Sequence, residues 1–160
     1  MAENFHLNVV TPAGKVVDAQ VVEITAPGMD GQFGILPRHA RYITALGVGE
    51  LRYRTVDGSE DGIVVAGGFA EVRRDRVNVL AQTAEDAAMI DIARAEASMQ
   101  RAESRLAQAE EGVDVERASV AMEKSIVRLR VARSRGTKPT HQPIVTREMP
   151  IPGADANTDD

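Results

Sequence analysis

The stretch ELRYRTVDGS, residues 50–59, alternates apolar and charged side chains and then reaches an Asp-Gly dipeptide. In an extended strand Leu51 and Tyr53 point to one side, and Arg52 and Arg54 point to the other. Asp-Gly is typical of the tight turn of a β-hairpin. The stretch therefore predicts a half-buried strand that leads into an antiparallel hairpin.

Similar short apolar or alternating runs lie on both sides of this stretch, bounded by turn residues. They are FHLNVV (5–10), QVVEITA (20–26), RYITAL (41–46), GIVVAG (62–67), FAEVR (69–73) and RVNVLA (76–81). A spacing of about 8 to 12 residues is that of a sandwich or barrel. No helix is predicted between the runs, so the strands should pair mostly antiparallel. We predict an N-terminal β-sandwich over residues 1–84.

The following segment has a different composition, with one glycine, Gly112, and no proline between residues 83 and 135. Thr83 and Asp86 resemble a capping box, so the first helix is predicted to begin there and to run to Gly112. Asp114 is the predicted cap of a second helix. A short turn between them makes the pair an antiparallel hairpin, assigned to residues 85–135.

Apolar side chains recur at helical spacing in both predicted helices. The first seam comprises Met89, Ile92, Ala95, Met99, Ala102, Leu106 and Ala109. The second comprises Val115, Ala118, Met122, Ile126 and Leu129. Because alanine and methionine dominate, the hairpin buries little area per turn. The sequence leaves two alternatives open: a hairpin that packs permanently on the β-domain, and one that can leave and pack elsewhere.

Residues 136–160 hold four of the 7 prolines, end in ADANTDD and show no periodic pattern. This composition predicts a disordered acidic tail. The predicted fold class is therefore α+β, with an antiparallel sandwich of about ten strands, then a two-helix hairpin and the tail.

The composition argues against several classes of function. A net charge of -5 and 3% aromatic residues do not favour nucleic-acid binding. There is no cysteine, and the 3 histidines are far apart in sequence, so no metal site is predicted. No apolar run reaches the roughly 20 residues of a membrane helix, and the N-terminus resembles neither a secretory nor a transit segment.

The glycine-rich stretch PGMDGQFGILPRHA, residues 27–40, does not match the known phosphate-binding motifs. It lacks the lysine of a P-loop and the glycine spacing of a dinucleotide-binding turn. No serine lies in a nucleophile-elbow context, and no catalytic constellation is found. Ile35 and Leu36 are expected to enter the core, while Gly31, Gln32 and neighbouring polar residues face outward as a recognition surface.

Three motifs occur together in the right order: G-x-x-G-I-L-P-x-H-A at 31–40, A-G-G-F at 66–69 and I-D-x-x-R-A at 90–95. With them, the chain resembles the epsilon subunit of bacterial F-type ATP synthase from residue 3 to about 134. The resemblance implies a ten-stranded sandwich and a helical hairpin. It also implies a non-catalytic rotor subunit on the central stalk of a proton- or sodium-driven synthase, peripheral to the cytoplasmic face of the bacterial inner membrane.

The resemblance further implies contacts with the gamma subunit and the c-ring, through Gly31, Gln32, Arg38 and His39. Gln32 stands where the family often has an acidic residue, so hydrogen bonding would replace an ion pair there. The partners would be gamma, the c-ring and the catalytic alpha and beta subunits, with no nucleic acid, and with the membrane reached only through the complex.

In the family the hairpin either rests on the sandwich or extends into the catalytic head and blocks ATP hydrolysis. The resemblance assigns that inhibitory contact to Arg128, Arg130 and Arg133. Positive charge at a helix C-terminus that complements the dipole is the alternative for some of them.

Some family members bind ATP in the docked hairpin, although no cofactor is required. Residue by residue, this site corresponds to Ile90, Asp91, Arg94, Ala95, Arg101 and Arg128. Lys124 departs from the pattern, because ATP-binding members carry arginine there. An i,i+3 surface pair between Asp91 and Arg94 is the structural alternative. A free-standing ATP-binding sensor is the alternative function.

Overall fold

The computed structural model describes residues 3–107 and 114–135, which form seven strands followed by two helices. The strands are β1 (Phe5–Thr11), β2 (Gly14–Gly28), β3 (Gly31–Ile35), β4 (Tyr42–Ala45), β5 (Val48–Thr55), β6 (Glu60–Val72) and β7 (Arg76–Asp86), and the helices are α1 (Ile92–Ala107) and α2 (Val115–Arg135). The predicted order, β-sandwich and then helices, is confirmed. The predicted turn at Gly112 and the predicted tail lie outside the described residues.

The described part of the chain contains seven strands rather than the expected ten, because three strands are long and two of them change partners along their length. β2, β6 and β7 have 15, 13 and 11 residues. β2 pairs with β1 up to Val21 and then with β3 and β5. β6 pairs with β5 as far as Ala66 and with β4 from Phe69 onward. One long strand thus takes the place of two expected strands, one on each side of the sandwich.

Two glycines allow β6 to bend where its partner changes. Gly67 and Gly68 have φ angles of 67° and 109°, a region that residues with a Cβ rarely adopt. At this bend the amide of Leu46 donates to the carbonyl of Gly68 at 2.9 Å. The strand pairs are antiparallel except for β1 and β7, which run parallel.

The core lies between the two sides of the sandwich and is aliphatic. Its largest fully buried side chains are Leu7, Val9, Val17, Val21, Ile24, Ile35, Leu46, Leu51, Ile63, Val65, Val72 and Val77. The predicted alternation in β5 is confirmed, since Leu51 and Tyr53 are buried and Arg52 and Arg54 are exposed. Large buried side chains of this kind supply most of the stability of a small domain.

The predicted start of the first helix at Thr83 is wrong. The segment from Thr83 to Asp86 continues β7 and pairs with β6. Asp86 caps the short 3-10 helix Ala87–Met89 instead, with its Oδ1 accepting from the amide of Ala88 at 2.8 Å. The local capping signal was real, but strand pairing decided the conformation of the residues before it.

The α-helices begin at two other aspartates. Oδ1 of Asp91 accepts from the amide of Arg94 at 3.0 Å and caps α1. Oδ1 of Asp114 accepts from the amide of Arg117 at 2.9 Å, so the predicted cap of α2 is confirmed. Neither described helix is long and apolar enough to cross a membrane.

The hairpin seam is only partly as predicted. On α1, Ala95 and Ala102 are buried against α2, whereas Ile92 is exposed, as is Met89 in the preceding 3-10 helix. On α2, Ala118 and Leu129 are buried, but Val115 and Ile126 are exposed. The predicted seam also omitted a second buried face of α2, formed by Val127, Val131 and Ala132, which packs on the sandwich.

That second face forms a small apolar cluster between α2 and the sandwich, here called the docking cluster. Its members are Val64, Ala87, Ile90, Val127, Val131 and Ala132. Val48 of β5 packs against it. The contacts between helices and sandwich come chiefly from α2. The hairpin is therefore docked on the sandwich in this structure.

Candidate functional site

A cavity of about 310 Å³ lies where the end of β7, the start of α1 and the middle of α2 meet. It is lined by Glu85, Met89, Ile90, Asp91, Arg94, Ala95, Ser98, Arg101 and Arg128. All six hairpin residues of the ATP site implied by the sequence resemblance are among them. Lys124, the position that departs from the family pattern, does not line this cavity.

Helix geometry explains why the residues of α1 share this cavity. Arg94 and Arg101 are seven positions apart, about two turns, and therefore project from the same face. Ala95 is buried, and its small side chain leaves room beside the two arginines. Ile90, also part of the docking cluster, is 8% exposed and gives the cavity an apolar wall.

Asp91 and Arg94 do not form the side-chain pair that was the structural alternative. The Asp91 carboxylate accepts from the backbone amide of Arg94 as a helix cap. The guanidinium of Arg94 has no carboxylate partner within the described ranges. It is therefore available to an anion in the cavity.

Arg128 reaches the cavity from α2 and meets a carboxylate that the sequence did not single out. Its Nε lies 2.6 Å from Oε2 of Glu85, at the end of β7. That oxygen is buried and has no aligned hydrogen-bond donor among the described residues, so the contact is an ion pair without good hydrogen-bond geometry. The sequence alone gives no reason to place Glu85 beside Arg128. Its position follows from the extension of β7 to Asp86.

The cavity thus combines three guanidinium groups with two carboxylates and the hydroxyl of Ser98. Guanidinium forks match the oxygens of phosphate groups and form charge-assisted hydrogen bonds with them. The Glu85 carboxylate neutralises one of the three cations. The arginines that remain, Arg94 and Arg101, suit a ligand that carries phosphate groups.

The four candidate residues of the glycine-rich stretch fall into two pairs. Gly31 and Gln32 begin β3 and are exposed. Gly31 has a φ of 134°, and a Cβ added there would meet nothing within 4 Å. Arg38 and His39 lie beyond the other end of β3, in a turn closed by the amide of His39 and the carbonyl of Leu36 at 3.2 Å.

Each residue of the second pair has its own local partner. Arg38 adopts a left-handed conformation with a φ of 64° and forms an ion pair with Glu3. His39 lies with its Nδ1 2.8 Å from the carbonyl oxygen of Ala40, to which that N–H donates. The expectation that Leu36 enters the core is wrong, since its side chain is 58% exposed while Ile35 is buried.

Aromatic rings connect the two pairs. Phe33 and Tyr42 meet edge to face with ring centroids 6.0 Å apart. The ring of His39 lies 6.3 Å from that of Tyr42. Tyr42 thus lies between Phe33 of β3 and His39 of the following turn, and the four candidate residues do not form a single cluster.

A second exposed surface lies on the outer side of β4, β6 and β7, and sequence reasoning missed it. Ile43, Phe69 and Leu80, here called the outer patch, are 67%, 59% and 58% exposed. Phe69 and Leu80 are direct neighbours across β6 and β7. Alternation could have identified them, because Ala70 and Val72 face the core and Phe69 must then face outward. Exposed apolar patches commonly mark interaction sites.

The three arginines assigned to inhibition have different surroundings in the docked hairpin. Arg128 faces the cavity, and Arg130 is exposed. Nη2 of Arg133 lies 2.9 Å from Oε1 of Glu96, which joins α2 to α1. Within residues 3–107 and 114–135, no group of three or more His, Asp or Glu side chains is arranged to hold a metal ion.

Two family models match nearly all of the described chain. They are the ATP synthase delta/epsilon chain beta-sandwich domain, over residues 4–87, and the ATP synthase delta/epsilon chain long alpha-helix domain, over residues 89–133. The ATP synthase epsilon chain of Syntrophobacter fumaroxidans is 43% identical over 132 residues, which cover 82% of this chain and 98% of that relative. The epsilon chain of Desulforamulus reducens is 46% identical over 132 residues, covering 82% and 99%.

A solved structure has the same fold. A chain of the Euglena gracilis mitochondrial ATP synthase, in its OSCP/F1/c-ring assembly, matches with a TM-score of 0.69 at 22% identity, over 77% of this chain and 78% of that one. The strong sequence matches over both regions settle the family. The chain belongs to the delta/epsilon-chain family as an epsilon subunit of F-type ATP synthase, a non-catalytic component of that complex.

Proposed function

We propose that the chain is a rotor subunit of the central stalk that couples ring rotation to the catalytic head and restrains ATP hydrolysis through its hairpin. The observation that carries the proposal is that the sandwich is held together by its own core, whereas the hairpin depends on contacts with the sandwich. The sandwich has its own large core, whereas the hairpin is held on it by the small docking cluster and by ion pairs of Arg128 and Arg135. Such a subunit would be peripheral to the cytoplasmic face of the bacterial inner membrane, driven by protons or sodium ions.

The sandwich offers two surfaces for the coupling partners. The outer patch is apolar and exposed, and it suits a lasting contact with the gamma subunit. Gly31 and Gln32 lie at an exposed turn with free space around it, which suits the polar loops of the c-ring. Because Gln32 is neutral, it would join the c-ring by hydrogen bonds. Arg38 and His39 extend this surface at the other end of β3.

Inhibition requires that the hairpin separate from the sandwich. In the docked state Arg128 is neutralised by Glu85 and Arg133 by Glu96, while Arg130 is exposed. Separation of α2 from β7 would remove Glu85 from Arg128. The extended helix would then present additional positive charge to an acidic surface of the alpha and beta subunits.

The test is ATP hydrolysis by a synthase depleted of this subunit. We would add back the full chain, or a chain that ends at Met89, just beyond the last strand. Both should bind, as measured by co-purification, and only the full chain should slow hydrolysis. Equal inhibition by both would exclude the hairpin as the inhibitory element, and failure of both to bind would exclude the rotor assignment.

The cavity supports a second, regulatory role, the binding of ATP to the docked hairpin. The observation in its favour is that all six residues implied by the resemblance line one cavity with three guanidinium groups. A triphosphate that contacts Arg94, Arg101 and Arg128 would link α1 to α2 beside β7. Bound ATP would therefore stabilise the docked hairpin, since a ligand favours the state that it binds better.

Calorimetric titration of the isolated full chain with ATP tests this role. Arg94→Ala should weaken binding about tenfold or more, because a charge-assisted hydrogen bond is lost. Arg105→Ala is the matched control, since Arg105 is exposed on the same helix and does not line the cavity. No binding at millimolar ATP, or equal loss in both variants, would exclude the site. Tight binding without co-purification with the synthase would instead favour a free-standing ATP sensor.

A further inference from the structure

The last residue of α2 makes a contact with the sandwich that lies beyond the helix matched by the family. The long-helix family model ends at residue 133, and Arg135 follows it. Nε of Arg135 donates to Oε1 of Glu50 on β5 at 2.6 Å. Its Nη1 donates to the backbone carbonyl of Glu60 at the start of β6, at 3.2 Å. One guanidinium thus binds two neighbouring strands.

The pair is well shielded from water for an ion pair at a surface. The side chains of Arg135 and Glu50 are 22% and 21% exposed. Exposed ion pairs contribute little, because solvent screens them and their side chains are mobile. A pair that is largely buried and also hydrogen-bonded is screened less, so its loss is felt more strongly.

Gly62 provides the space in which this pair lies. It is buried on β6, and a Cβ added there would lie 2.6 Å from Oε1 of Glu50 and 2.7 Å from Cζ and Nε of Arg135. Those distances are too short for any real contact. The absence of a side chain at Gly62 therefore leaves the space that the carboxylate and the guanidinium fill together.

The contact of Arg135 lies at the C-terminal end of α2, beyond the apolar contacts of that helix with the sandwich. In the described residues, two ion pairs join the hairpin to the sandwich, Arg128 with Glu85 and Arg135 with Glu50. Of the α2 members of the docking cluster, Val127 directly precedes Arg128, and Val131 and Ala132 lie between the two arginines in sequence. A hydrogen-bonded ion pair therefore follows the apolar contacts at the C-terminal end of α2.

We propose that Arg135, Glu50 and Gly62 form a latch that holds the hairpin on the sandwich and must open before the hairpin can leave. Docking itself is a property of this chain alone, whereas the consequence for the synthase rests on the proposed inhibitory function. Opening the latch leaves the cavity residues of α1 in place on their helix. The latch therefore adds a second point of control, separate from the proposed nucleotide.

The test uses the full chain, which contains no cysteine. Spin labels on two introduced cysteines, at the exposed positions Val56 and Ser104, would report the distance from the sandwich to α1 by pulsed electron paramagnetic resonance. Arg135→Ala and Glu50→Ala should each raise the ratio of undocked to docked hairpin about tenfold. Gly62→Ala should raise it less, because the ends of the two flexible side chains can shift away from the added Cβ. Arg135→Ala leaves the sandwich sequence untouched, so it reports on docking even where a sandwich variant fails to fold.

Glu96→Ala is the matched control, because it removes an ion pair of the same type within the hairpin. It should retain the distance distribution of the parent chain. Unchanged distributions in Arg135→Ala and Glu50→Ala, or equal undocking in Glu96→Ala, would overturn the latch. Undocking by the latch variants without stronger inhibition of a depleted synthase would support the latch and overturn the inhibitory function instead.

Discussion

The sandwich buries many more large side chains than the hairpin does, and the difference separates a region with its own large core from one that depends on packing against it. The sandwich core contains twelve large aliphatic residues that are almost completely inaccessible. On α1 the buried residues are Ala95 and Ala102 alone. Because burial free energy scales with apolar area, the sandwich can hold itself together and the hairpin depends on its neighbours.

The interior of the hairpin also contains a hydroxyl group. Ser125 is 1% exposed, and its Oγ donates to the carbonyl of Ala121 one turn earlier at 2.9 Å. The hydrogen bond is made within α2 and does not depend on docking. A polar group that carries its own partner loses little when the surrounding contacts open, which suits a helix with more than one packing environment.

The largest effect is expected from a cavity in the sandwich core. Leu7 is 0% exposed, so Leu7→Ala should lower the free energy of unfolding by about 2–5 kcal/mol. Urea unfolding of the isolated chain measures it. Leu80→Ala, which truncates a leucine that is 58% exposed, should change stability by less than about 0.5 kcal/mol. Similar losses in the two variants would contradict the assignment of the core.

A smaller effect, with a different readout, is expected in the docking cluster. Val131 is 1% exposed, and Val131→Ala should cost about 2 kcal/mol of docking, from the loss of its buried methyl groups. Amide hydrogen exchange should show faster exchange in α2 with unchanged protection in the strands. The control is Val120→Ala on the same helix, at a residue that is 39% exposed. Equal loss of protection in the strands would mean that the two regions unfold as one unit.

The cap of α2 should matter less than either apolar cluster. Asp114→Ala should destabilise the start of α2 by about 1 kcal/mol, because the amide of Arg117 loses its acceptor. Hydrogen exchange in the first turn of α2 would detect it. Asp114→Ser keeps an acceptor and should behave as the parent chain does. If the serine and alanine variants exchange alike, the hydrogen bond contributes nothing to the helix.

The sequence correctly predicted features that depend only on residues close together in the chain. Alternation in β5 identified its buried face, and the seven-residue spacing of Arg94 and Arg101 placed both on one side of α1. That spacing is fixed by the helix itself, which is why the cavity residues of α1 could be grouped from the sequence. Residues from α2 joined them only through the family resemblance.

Features that depend on distant partners could not be predicted in this way. Thr83 and Asp86 resemble a helix start, yet pairing with β6 keeps them in a strand. Val127 and Val131 were missed because a single helical stripe cannot reveal that α2 packs on two neighbours. The contact of Arg135 with Glu50 joins residues 85 positions apart, and nothing in either local sequence indicates it.

The smallest effect on stability should come from an ion pair on the surface of the sandwich, which serves as a comparison for the latch. Asp18 accepts from Nζ of Lys15 at 2.5 Å and also contacts His6. These hydrogen bonds, first that of Lys15 and then that of His6, hold the pKa of the Asp18 carboxyl below its ordinary value. A lowered pKa in the folded state stabilises the fold above the unfolded pKa of about 3.9. The stabilisation is lost as the pH falls through the lower folded pKa.

Asp18→Asn should therefore cost less than about 1 kcal/mol at pH 7, because the pair is half exposed and screened by solvent. The difference from the parent chain should shrink below about pH 4 and vanish in stronger acid, where the parent carboxyl is also neutral. Urea unfolding at a series of pH values measures both stabilities. A constant difference across that range would show that Asp18 acts through packing or strand preference and not through its charge. The charged contacts of the sandwich surface would then differ in kind from the shielded pair that closes the hairpin onto it.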